Sequence, residues 1–166
     1  TLGSSYLDLN AALQIRVAKT LVGLLPVLEE PEVLELGSGT GILTNHLLRH
    51  YPQGRFLITD ISSEMIGSCM SKYAPEPQIK YAVMDCDALS SDQRYDIIVS
   101  SMVLHWSSDP VASLNLQRSL LKPGGRVVYC TIGPHNFPEW RETLTALGHR
   151  AGLVSIPRLP GLVHEE

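Results

Sequence analysis

The sequence is poor in the features that mark several large protein classes. Its 166 residues hold three cysteines, Cys69, Cys86 and Cys130, with no CxxC pair and no adjacent pair of histidines. That spacing excludes a disulfide framework or zinc site and fits free thiols in a reducing cytosol. Positive charge is not in excess: 13 Lys and Arg face 17 Asp and Glu, a net charge of −4. A nucleic-acid partner needs the opposite balance, so none is expected. No apolar run reaches the roughly 18 residues of a membrane span, and no signal peptide opens the chain. The expectation is a cytoplasmic protein with no membrane partner. Repeats, low-complexity tracts and a clear linker are also missing.

What remains is an ordinary globular composition, 44% hydrophobic and 18% charged. The length suggests one domain over 1–166, with 1–26 as an N-terminal helical flank. A domain of this size buries about 70% of its unfolded surface and needs no covalent staple.

Periodicity divides the chain into alternating elements. Leu9, Leu13, Val17, Leu21, Leu24 and Leu25 predict an amphipathic helix over 8–25, stopped by Pro26. Strands are predicted at 33–36, 55–59, 79–83, 95–100 and 126–132. Helices are predicted at 42–51, 62–73, 110–121 and 137–151, the second of these capped by Ser62. Lys122-Pro123-Gly124-Gly125 reads as a β-turn. Alternation of this kind predicts an α/β fold, a Rossmann-like, doubly wound and mostly parallel sheet with helices on both faces. Ligands then bind beyond the carboxyl ends of the strands.

The first strand ends in the densest motif of the chain, Val33-Leu34-Glu35-Leu36-Gly37-Ser38-Gly39-Thr40-Gly41. An apolar run closing on alternate glycines, followed by a helix, reads as a nucleotide-binding loop. A dinucleotide fingerprint has G-x-G-x-x-G and a pyrophosphate on the helix start. Here the spacing is G-x-G-x-G, with Glu35 two residues ahead of it. A carboxylate there repels a pyrophosphate and attracts a cationic ligand. S-adenosylmethionine, with an ammonium, a sulfonium and no phosphate, fits that demand. A tight structural turn would use the same glycines.

The other strand ends add candidates. Asp60, 19 residues after Gly41, closes the second strand. It can accept both ribose hydroxyls of an adenosine, or merely cap the next helix. Ile61 follows it at the cofactor edge. Asp85 after the third strand can accept from an adenine amine, and the Cys86 N–H can donate to the ring. Asp87 can share that task, or the group can be an Asx turn. Ser100 and Ser101 after the fourth strand face the methionine end. His105 and Trp106 are candidates for the substrate wall, with His105 the one possible general base. A lone histidine or tryptophan also serves packing. No residue group suggests a metal site.

Taken in order, Glu35–Gly41, Asp60, Asp85-Cys86-Asp87, Ser100–Trp106 and Leu121–Gly125 resemble successive motifs of the class I S-adenosylmethionine-dependent methyltransferases. The match covers roughly 30–132. Three flanking stretches, Ser5–Gln14, Val103–Trp106 and Phe137–Leu144, resemble the malonyl-acyl-carrier-protein O-methyltransferases of biotin synthesis. The resemblance implies S-adenosylmethionine as cofactor and a small-molecule or carrier-bound acceptor, the free carboxylate of malonyl-acyl carrier protein first. Tyr6, Gln14, His105, Trp106 and Arg141 are the implied substrate contacts. The family normally continues with a sixth and a seventh strand, so the C-terminal strands are expected to be missing here. Alternatives are a non-catalytic module of the same fold and a methyltransferase acting on another small molecule such as a quinone precursor. A nicotinamide-dependent oxidoreductase is disfavoured by the glycine spacing and Glu35.

Overall fold

The computed structural model describes residues 11–73 and 76–132. Along the chain run α1 (Ala12–Gly23), β1 (Glu32–Leu36), α2 (Ile42–His50), β2 (Arg55–Asp60), α3 (Ser63–Met70) and β3 (Ile79–Val83). They are followed by β4 (Tyr95–Ser101), a short 3₁₀ turn (Leu104–Trp106), α4 (Pro110–Ser119) and β5 (Leu121–Cys130). The expected helix over 137–151, and with it Arg141, lies outside the described residues, as do Leu9 and Tyr6.

All five strands pair in parallel, in the order β3-β2-β1-β4-β5. Parallel pairing requires crossovers; α2, α3 and α4 supply three of them, and the segment 84–94 joins β3 to β4 without a helix. β1 lies at the centre, and its Val33, Leu34, Glu35 and Leu36 are all buried. Side chains alternate along a strand. Val33 therefore joins Ala18, Leu21, Leu43 and Leu47 on the face covered by α1 and α2. Leu34 and Leu36 join Leu89, Tyr95, Ile98 and Leu120 on the opposite face. The winding direction reverses between β1 and β4, so their carboxyl ends open a crevice.

Local chemistry fixes the helix starts. The Ser62 hydroxyl accepts from Met65 N at 3.3 Å ahead of α3. Asp109 accepts from Val111 N and Ala112 N ahead of α4, with Pro110 in the first turn.

Two elements differ in detail from expectation. The buried stripe of α1 runs through Ala18 and Leu21 and on to Leu25, whereas Leu13 and Leu24 are exposed. Ala18 packs into the core with Leu43 and Leu47, and Leu13, five residues earlier and about 140° around the helix axis, falls on the outer side. The Lys122–Gly125 turn interrupts a strand instead of preceding one. Tyr95 pairs with Leu121, and the register then jumps to Ile97 with Arg126. A Cβ on Gly125 would lie 2.9 Å from the Tyr95 carbonyl oxygen, so the excursion depends on that glycine.

Candidate functional site

The residues after β1 fold into a loop held by its own backbone and by β2. Ser38 N donates to the Thr59 carbonyl at 2.9 Å, and Gly41 N donates to the Ser38 carbonyl at 2.9 Å. Gly37 has φ +67° and Gly39 has φ +53°. Both lie in the left-handed region that glycine enters without steric penalty. A Cβ on Gly37 would sit 2.2 Å from Val103 Cγ2, so the loop also packs against the segment after β4. A Cβ on Gly39 would meet no atom within 4 Å. That glycine borders open space.

Asp60 ties the loop down. One carboxylate oxygen accepts from Gly39 N at 2.8 Å, the other from Ser62 N at 2.9 Å. Its own carbonyl accepts from Met84 N at 3.0 Å, which links the end of β2 to the exit of β3. A single buried side chain thus joins the glycine loop to the start of α3.

These strand ends surround a cavity of about 740 Å³. Gly37, Ser38 and Gly39 form one side, with Asp60, Ile61, Asp85 and Cys86 beyond them. Ser101, Met102, Val103, His105 and Trp106 form the wall after β4, and Gln14 and Ala18 of α1 reach the rim. The size suits a small organic ligand. Two carboxylates border the space, and no lysine or arginine does so among the described residues. A pyrophosphate would find no cation there and two negative charges. A phosphate-free, positively charged nucleoside matches the charge of the walls.

Beneath the loop sits Glu35, fully buried. Strand alternation turns it toward α2, where Oε2 accepts from the Thr44 hydroxyl at 2.7 Å. Oε1 has no hydrogen-bond partner. Burial pushes this carboxyl up to about 8, against the lowering effect of the Thr44 bond and with help from the Asp60 charge. At neutral pH Glu35 therefore holds a proton.

The profile of a methyltransferase domain family matches residues 33–125, more than half of the chain. The chain belongs to that family. It carries the fold of the class I S-adenosylmethionine-dependent methyltransferases, and the matched span runs from β1 into the turn before Arg126. Over 133 residues this methyltransferase chain is 39% identical to the malonyl-[acyl-carrier protein] O-methyltransferase of Magnetococcus marinus, covering 80% of this chain and 49% of that protein. It is 30% identical over 146 residues to the bifunctional biotin biosynthesis protein of Bordetella avium, covering 82% of this chain and 31% of that protein. A solved S-adenosylmethionine-dependent methyltransferase from Mesorhizobium loti superposes with a TM-score of 0.63 at 27% identity, over 70% of this chain and 52% of that one. The chain spans about half the length of the curated relatives it matches.

Within this methyltransferase domain, the structure brings Gly37, Ser38, Gly39, Asp60, Ile61, Asp85, Cys86, Ser101, Gln14, His105 and Trp106 to one cavity. Glu35, Gly41 and Ser100 do not line it. Ser100 is buried in the sheet between Leu36 and Tyr129. Gly41 caps α2, facing Cys69 and Tyr73. Asp87, weighed with Asp85 for the same task, also lies off the cavity wall. Asp85 itself accepts from Asp87 N at 2.9 Å, so the Asx turn and the place at the cavity coexist.

His105 is half-buried, and burial lowers its pKa, which keeps the imidazole neutral at pH 7. Its Nδ1 lies 3.5 Å from the Thr131 hydroxyl, and its ring centroid lies 5.2 Å from that of Trp106. Asp85, Cys86 and Asp87 bring potential metal-ligand atoms within 4.8 Å of one another, but hydrogen bonds from Ser107 and Ser108 already engage both Asp87 oxygens. Sequence reasoning missed the apolar lining, Met65, Met84 and Val103 among it. Met84 had a signal, since it directly follows β3. Val103 lay within the Ser100–Trp106 motif, but only the fold sets it against Gly37.

Proposed function

We propose that this chain is the cofactor-binding portion of a cytoplasmic enzyme that transfers a methyl group from S-adenosylmethionine to the free carboxylate of malonyl-acyl carrier protein, in biotin synthesis. The observation that carries the cofactor half is the cavity at the strand ends, bordered by two carboxylates and no lysine or arginine. The acceptor half is supported by relatives that carry that activity in their names.

In this reading Gly37, Ser38 and Gly39 let the backbone approach the ligand, Asp60 receives the ribose, and Asp85 with the Cys86 N–H receives the adenine. The cofactor supplies a methyl group on a sulfonium leaving group, so transfer yields a methyl ester and a neutral thioether. A malonyl carboxylate is already ionised at neutral pH, and no residue has to remove a proton. The protein then works by orientation and by excluding water around the nucleophile. Gln14, His105 and Trp106 border the space for the acceptor, with Tyr6 and Arg141 proposed to join them. A phenolic acceptor is the second reading, favoured by one observation. His105 is held neutral at the wall and can take a proton there.

Calorimetric titration of the full-length protein with S-adenosylhomocysteine, with NADH as control, tests the cofactor. Micromolar binding of the first alone is expected, and Gly39→Arg, which fills the open space beside the loop, is expected to abolish it. Binding of NADH instead, or unchanged affinity in Gly39→Arg, would overturn the site. Labelled methyl transfer to malonyl-acyl carrier protein then tests the acceptor. A rate at saturating cofactor that is flat around neutral pH and survives His105→Ala is expected. A rate that follows imidazole ionisation favours the phenol.

A further inference from the structure

Asp87 makes more hydrogen bonds with the wall after β4 than with its own loop. One oxygen accepts from the Ser107 hydroxyl. The other accepts from Ser108 N at 2.7 Å and from the Ser108 hydroxyl at 2.7 Å. Beside it, the Ser113 hydroxyl of α4 donates to the Cys86 carbonyl at 2.8 Å. Ser107 and Ser113 are almost fully buried. These bonds outweigh the partial burial of the carboxyl and keep Asp87 below its ordinary value, so it stays charged.

The segment it grips is anchored at its other end as well. Met102 has φ +59°, unusual for a residue with a side chain, and its N–H donates to the Cys130 carbonyl at 2.8 Å. Val103 then seats against Gly37. Between the two anchors stand His105 and Trp106, the latter 81% exposed. Trp106 owes its position to this bracket rather than to burial.

We infer that Asp87 is a positioning residue which locks the His105–Trp106 wall to the loop carrying Asp85 and Cys86, so that filling the cofactor side fixes the acceptor side. The inference rests on the cofactor and acceptor reading given above. It assigns Asp87 no contact with either ligand. Its carboxylate transmits the position of one loop to the next through three donors, and Asn in its place can satisfy only part of that set.

The test uses the full-length protein labelled with fluorotryptophan, with the Trp106 fluorine signal assigned by its loss in Trp106→Phe. S-adenosylhomocysteine is expected to shift and sharpen that signal in the wild type. In Asp87→Asn the S-adenosylhomocysteine affinity should stay within about threefold of wild type, while the Trp106 response is lost and KM for malonyl-acyl carrier protein rises about tenfold or more. Ser108→Ala, which removes one donor and leaves the backbone intact, should fall between them and serves if Asp87→Asn fails to fold. An unchanged Trp106 response and KM would overturn the lock. So would a loss of S-adenosylhomocysteine affinity equal to the loss in kcat/KM, which marks general damage. A wild type that binds no S-adenosylhomocysteine overturns the cofactor reading and the lock with it. A wild type that binds it but leaves malonyl-acyl carrier protein unmethylated overturns only the acceptor, and the Trp106 response still decides the lock.

Discussion

Glu35 is a carboxyl with no solvent exposure and one oxygen without a partner. Its proton is held more tightly in the folded chain, to about 8 against an ordinary 4.5, than in the unfolded one. Between those values the native state binds the extra proton, so stability falls as pH rises through the window. Above about 8 the full penalty is present, and below 4.5 it vanishes. Glu35→Gln mimics the protonated form. It is expected to raise stability at pH 8 by on the order of a few kcal/mol relative to wild type, with little change at pH 4.5. Urea denaturation at the two pH values checks this, and an equal difference at both would mean the buried carboxyl does not titrate as argued. Asp60 presents the opposite case, a carboxylate with both oxygens in use. Asp60→Ala strands two backbone donors and removes the proposed ribose contact. A loss of about 1–3 kcal/mol in S-adenosylhomocysteine binding is expected by calorimetry.

Gly37 of the glycine loop packs directly against Val103 of the segment after β4. A Cβ at Gly37 would overlap Val103 at 2.2 Å, and φ +67° adds backbone strain. Gly37→Ala is therefore expected to destabilise the fold by about 2–3 kcal/mol, through overpacking and the left-handed penalty together. Val103→Ala in the same chain removes the overlap and leaves the strain, so the double variant should regain part of the loss. Simple additivity of the two single changes in a denaturation cycle would disprove the contact. This is also the scale at which the sequence was least legible. The period of apolar residues marked α1 correctly as a helix but selected Leu13 and Leu24 for its buried side, and both are exposed. Periodicity reports that one face is apolar, while the neighbour decides which apolar residues it covers. The Lys122–Gly125 turn was readable as a turn. Its place inside β5 follows from the pairing of Leu121 with Tyr95, a contact between distant residues.

For the whole molecule, the parallel sheet places Gly37, Asp60, Asp85 and Ser101 at one end of the strands, and binding there should stabilise all layers together. S-adenosylhomocysteine at about 100 times its Kd is expected to add about 2.7 kcal/mol, a Tm increase of about 5–10 °C for a chain of this size. NADH at the same concentration should leave Tm unchanged in thermal denaturation. A shift with NADH and none with S-adenosylhomocysteine would reverse the assignment of the cavity. No helix among the described residues is long and apolar enough to cross a membrane.

The sequence by itself determined the order of elements, the parallel sheet and the family. Those depend on local patterns: apolar strands, alternate glycines after β1, and acidic residues at successive strand ends. It also marked Gly37, Asp60, Asp85 and His105, because a strand's carboxyl end is readable from the chain. Tertiary structure alone decided what each acidic side chain faces. Alternation along β1 turned Glu35 under the loop toward Thr44, although its spacing suggested direct contact with a ligand. Asp85 and Asp87 look equivalent in sequence, two residues apart. The fold sets one at the cavity and hands the other to Ser107 and Ser108, some twenty residues along the chain. Hydrogen bonds between loops depend on how strands stack in space, and no one-dimensional pattern encodes that stacking directly.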